Sequence, residues 1–82
     1  MSRLKVLSAR EVIDALRHFG FQVVNTRGSH AKLRREGADS RETMTVPLHK
    51  ELATGTVLAI YRQALKFIPE DELKPWFFLT HP

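Results

Sequence analysis

The sequence predicts an α+β domain of order α-β-β-β-α, a three-stranded antiparallel sheet with its helices on one face and a short C-terminal helical extension. Three observations predict it. A capped amphipathic segment opens the chain, three short alternating segments follow between turn residues, and a second stretch of helical period comes after them. With 82 residues the chain is expected to form one domain around a single modest core.

The first helix begins at Ser8-Ala9-Arg10-Glu11, a capping box in which the Ser8 hydroxyl and the Glu11 carboxylate each accept from the other's backbone amide. Val12, Ile13, Leu16 and Phe19 then recur at helical spacing, and Gly20 supplies the stop. The helix should span about 9 to 19. FQVVNTR is rich in β-branched residues and reads as a strand over about 21 to 26. Arg27-Gly28-Ser29 forms a tight turn, and HAKLRRE returns as a second strand. In it Ala31 and Leu33 point to one face, while His30, Lys32 and Arg34 point to the other. After the polar loop 36–40, a third strand runs from Glu42 to Val46 and Pro47 ends it. One apolar and one polar face describe a meander covered on a single side.

A second helix is expected from near Gly55 or Thr56, capped by Thr54 or Thr56. Val57, Leu58, Tyr61, Ala64, Leu65 and Ile68 supply its apolar flank. Pro69 opens a short acidic turn of helix, Glu70 to Leu73. The tail PWFFLTHP is strongly apolar. Trp76 and Phe77 either fold back onto the core or contact another chain. The order as a whole is that of a double-stranded-RNA-binding domain, a fold that meets RNA by shape and phosphate contacts.

Composition narrows the function. The 43% hydrophobic content fits a globular chain. The absence of cysteine excludes disulfides and thiolate zinc sites and is compatible with a reducing compartment. Neither a signal peptide nor a membrane span is expected, so the reading is cytoplasmic. Thirteen Lys and Arg against nine Asp and Glu give a net charge of +4, which favours a polyanionic partner. The charge is concentrated in the middle. Six cations (Arg27, Lys32, Arg34, Arg35, Arg41, Lys50) face three acids (Glu36, Asp39, Glu42) between 27 and 50.

No phosphate loop, paired carboxylates or metal-spaced cluster is present. His18 and His81 have no partners at ligand spacing, so neither a metal nor another cofactor is expected. His30 differs because it follows the compact Gly28-Ser29 turn and shares a face with Lys32 and Arg34. An imidazole titrates near neutrality and moves protons at cellular pH, while adjacent cations hold phosphate and offset developing charge. That set suffices for RNA cleavage through the 2′-hydroxyl. The alternative is a solvated or merely binding histidine on a basic face.

G-F-x-V-V, then R-G-S-H-x-K-L, T-V-P-x-H, E-L-x-x-G-T-V and a helix ending in R-Q-A resemble the HicA (YcfA-like) toxins over residues 8 to 66. These are mRNA interferases of toxin–antitoxin systems. The resemblance implies a double-stranded-RNA-binding-like fold, an mRNA substrate, and a HicB-type antitoxin with which the otherwise monomeric toxin forms a hetero-oligomer. It also implies one catalytic histidine in the G-S-H motif. Carried over, His30 is catalytic and Gly28 and Ser29 shape its turn. Arg27, Lys32, Arg34, His49 and Lys50 are the RNA-binding candidates. His49, which matches the histidine after T-V-P, supplies a second proton, contacts phosphate or caps the loop. A binding-only RNA domain and a pure protein-interaction domain are the other readings.

Overall fold

The structure is a computed structural model that describes residues 2–80, so His81 lies outside the described residues. Its elements are β1 (Ser2–Leu4), α1 (Ala9–His18), β2 (Gln22–Arg27), β3 (His30–Glu36), β4 (Arg41–Pro47), α2 (Thr54–Ala64), α3 (Glu70–Phe77) and β5 (Phe78–Thr80). The central α1-β2-β3-β4-α2 segment has the double-stranded-RNA-binding arrangement. Its antiparallel sheet has the order β2-β3-β4, and β1 and β5 form a separate two-stranded sheet.

The capping box of α1 forms as its residue types require. The Glu11 amide donates to Ser8 Oγ at 3.1 Å, and the Ser8 amide donates to Glu11 Oε1 at 2.9 Å. The Ser8 backbone bond, followed by the Ser8 side-chain bond, holds the Glu11 carboxyl below its ordinary value. Val12, Ala15 and Leu16 are buried along one stripe, with Ile13 and Phe19 packed at its margin. Gly20 ends the helix with φ +94°, a conformation that suits glycine.

Alternation governs the sheet. Ala31 and Leu33 of β3 and Met44 and Val46 of β4 are buried beneath the helices. His30 and Lys32 are exposed on the opposite face. Gly28 takes φ +57° between Arg27 and His30, which face each other across the turn. A register shift between Val23 and Asn25 bulges the edge strand β2, and every residue of β2 is exposed.

Two expectations need correction. Helix α2 starts at Thr54, and its N-cap is Ala53 with no side-chain cap bond, so neither threonine caps it. Its buried stripe is Val57, Ile60, Tyr61 and Ala64, which brings in Ile60 and leaves Leu58 and Leu65 at the margin. The acidic turn is also longer than expected. Helix α3 extends through Pro75 to Phe77.

The tail folds back. Leu73 and Phe77 are fully buried, and Trp76 packs on His18 and Phe19 at ring separations of 4.7 and 6.2 Å. Strand β5 then pairs with β1, Ser2 opposite Thr80. Lys5 strengthens the closure: its backbone amide donates to the Phe77 carbonyl at 2.8 Å and its Nζ to the Pro75 carbonyl at 2.9 Å.

Phe77→Ala is expected to destabilise the protein by about 3–5 kcal/mol, the usual loss for a buried aromatic, measured by denaturant unfolding. Glu11→Ala should lower stability at pH 7. Because the Glu11 carboxyl is depressed in the folded state, its contribution exists above the ordinary carboxylate range and is lost as pH falls through the folded value. Unfolding midpoints of the two proteins should therefore converge as pH falls below the ordinary carboxylate range.

Candidate nucleic-acid interface

The candidate site grows from the β2–β3 hairpin. Its two-residue turn gives only Gly28 a positive φ, the pattern of a hairpin turn whose first central position demands glycine. Arg27 and His30 are thereby set side by side at the strand ends. On its other side His30 is level with Pro47 of β4. The Leu48 amide donates to the Ser29 carbonyl at 2.6 Å, which ties the turn to the loop that follows β4.

A shallow cavity on the open face is lined by Asn25, Arg27, His30, Lys32 and Thr45. All three strands contribute. Lys32 lies opposite Asn25 on one neighbour and Thr45 on the other. All five residues are exposed, so the imidazole is open to solvent and no packed element covers it. The chemistry within reach is one imidazole, one guanidinium, one ammonium and two neutral hydrogen-bonding side chains. An imidazole can accept or donate a proton, and the two cations supply the charge that a phosphate needs.

The other expected residues lie elsewhere. Arg34 is half-buried, its Nε is covered and unpartnered, and it lines a neighbouring hollow with Gln22 and Val24. His49 and Lys50 line a groove against α1 rather than the cavity of His30. The His49 carbonyl accepts from the Ala9 amide at 3.0 Å. Asn25 and Thr45 are additions to the expected set. Strand alternation alone would have placed Thr45 on the open face, but the bulge in β2 hides the position of Asn25.

Arg35 sits one residue after Arg34 and does different work. Its Nε donates to Glu42 Oε1 at 2.6 Å, Nη1 to the Phe19 carbonyl at 2.8 Å and Nη2 to the Phe67 carbonyl at 2.8 Å. The guanidinium also lies over the Phe21 ring, 5.0 Å from its centroid. The signal was present in the sequence. Ala31, Leu33 and Arg35 share one strand face, so a charge at 35 points toward the covered side.

The family model described as the HicA toxin of bacterial toxin–antitoxin matches residues 9–65, a span that contains α1, the three-stranded sheet and α2. Among curated proteins none matches the chain.

Arg35→Ala should cost about 2–4 kcal/mol, since it strands two carbonyls and a carboxylate. Arg35→Lys should recover less than half of that, because an ammonium lacks the planar fork. Thermal and urea unfolding check both.

Proposed function

Because this chain belongs to the HicA toxin family of bacterial toxin–antitoxin systems, we propose that it is an mRNA interferase, a metal-independent endoribonuclease silenced by a HicB-type antitoxin. One observation carries the reading: His30 stands exposed in a single cavity with Arg27 and Lys32.

The chemistry follows from that grouping. RNA carries its own nucleophile, the ribose 2′-hydroxyl. His30 takes the proton from this hydroxyl as the oxygen attacks the adjacent phosphorus. The bond to the 5′-oxygen breaks, and that oxygen takes a proton from solvent water as it leaves. The products are a 2′,3′-cyclic phosphate and a 5′-hydroxyl end. Arg27 and Lys32 neutralise the charge that builds on the phosphoryl oxygens. Gly28 and Ser29 position the imidazole by keeping the turn small. Arg34 extends the positive surface along β3, and Lys50 adds charge on the loop after β4. His49 serves phosphate contact, because it lines a different groove from His30.

Silencing needs only coverage. An antitoxin bearing an acidic patch or inserted segment would seal the cavity and match its charge. The same exposed β3 face thus serves substrate and inhibitor in turn.

Induction of the wild-type chain in bacteria should arrest growth and degrade mRNA, and His30→Ala should lose at least 100-fold in cleavage rate. His30 is exposed, so its replacement should leave the melting temperature unchanged. Equal arrest and equal cleavage by His30→Ala would refute the catalytic role. RNA bound with strong salt dependence but recovered intact from the wild type would instead make the face a binding surface alone.

A further inference from the structure

A second groove shares no lining residue with the cavity that holds His30. It lies between the start of α1 and the loop after β4 and measures about 550 Å³, within the range of small-ligand clefts, roughly 300–1,000 Å³. Its floor is apolar, built from Ala9, Ile13 and Leu48. Its rim is cationic, with Arg10, Arg17 and Lys50. Leu48 remains 39% exposed among these charges. An apolar floor inside a cationic rim matches an amphipathic anion, in which a flat ring system joins flanking phosphates.

We propose that this groove seats one unpaired nucleotide of the RNA beside the cleaved bond and so determines which sites are cut. The inference rests on the ribonuclease reading and extends it to substrate selection. The base lies against Ile13 and Leu48, and its flanking phosphates meet Arg10, Arg17 and Lys50. Asp14, also on the lining, offers an acceptor to a base N–H.

Two features favour RNA over a protein segment. First, the groove adjoins the turn that carries His30. Leu48 on its floor bonds to Ser29 at 2.6 Å, and Ser29 directly precedes His30. The turn itself is open at Gly28, where nothing lies within 4 Å of the position a side chain would take. Second, two of the first amides of α1 are already used within the fold, which leaves the anion to the side chains. The Ala9 amide is taken by the His49 carbonyl and the Glu11 amide by Ser8 Oγ. Binding there therefore depends on Arg10 and Arg17, both fully on the surface and replaceable without loss of fold.

The test uses the full chain carrying His30→Ala, which separates binding from cleavage, and a 15-nucleotide single-stranded RNA containing 4-thiouridine. Photocrosslinks should map to peptides covering residues 8–17 or 48–50. Arg10→Ala with Arg17→Ala in that background should weaken binding at least tenfold at 0.1 M salt. Its salt slope should become shallower by about 1.4, two phosphates at about 0.7 each. In the active chain, Leu48→Ala should change the pattern of cleavage sites. Unchanged affinity with crosslinks confined to β2 and β3 would overturn the proposal. So would unchanged RNA affinity coupled to weaker antitoxin binding, which would make the groove a protein seat. Wild-type protein that binds RNA through these residues without cutting it would remove the ribonuclease reading and leave the nucleotide seat standing.

Discussion

Arg35 is the side chain on which the architecture depends. It leaves the far end of β3 on the covered face and its fork reaches the Phe19 carbonyl at the end of α1, the Phe67 carbonyl beyond α2, and Glu42 on β4. Carbonyls at helix ends have no partners within the helix, and one guanidinium satisfies two such segments together. It therefore sets where both helices stop relative to the sheet. Being only half-buried, with each guanidinium nitrogen donating one hydrogen bond, the ion pair avoids most of the desolvation cost that a sealed pair would bear.

This anchoring also explains where function can reside. Arg35 and His30 lie at opposite ends of one strand, about 17 Å apart at the usual rise per residue. The end that ties the helices together is crowded, and the end with the hairpin turn is open. The charge divides in the same way. Arg35 is engaged by Glu42 at 2.6 Å, and Arg41 lies 3.6 Å from Glu36. Of the six cations in the central segment, these two are matched within the fold. Arg27, Lys32, Arg34 and Lys50 make no ion pair among the described residues: Arg27 and Lys32 line the His30 cavity, Arg34 a hollow further along β3, and Lys50 the groove against α1. What the net charge of the chain suggests in general, the salt bridges localise.

The segments outside the family match have a structural role. Strand β1, helix α3 and strand β5 lie beyond residues 9–65, and they close the core away from the candidate site. Phe77 and Leu73 fill the interior beside Tyr61, whose ring lies 5.4 Å from that of Phe77. The Tyr61 hydroxyl donates to Glu70 at 3.1 Å, which fastens α3 to α2. Lys5 holds the last turn of α3 by donating to the Pro75 and Phe77 carbonyls. A proline inside a helix leaves a carbonyl without its donor, and the helix continues there because tertiary contacts outweigh that local cost.

Much of this was legible in the residues themselves. Local signals with a direct physical cause were sufficient for the first helix, through its capping box, and for the hairpin, through Gly28. They were also sufficient for the two faces of β3, through strict alternation, so His30 and Lys32 could be placed on the open face from sequence. Other features depend on contacts between residues far apart in the chain. The pairing of β1 with β5 joins segments more than 70 positions apart, each too short to show a period. The start of α2 was displaced because a backbone-only cap leaves no side-chain signature. The separation of His49 from His30 follows from the docking of the loop onto α1, where the His49 carbonyl accepts from the Ala9 amide, which no spacing in the sequence encodes. Sequence determined which side chains face solvent, because that follows from the repeat of a strand or helix. Tertiary structure decided which of them share a cavity, because that depends on how the elements pack.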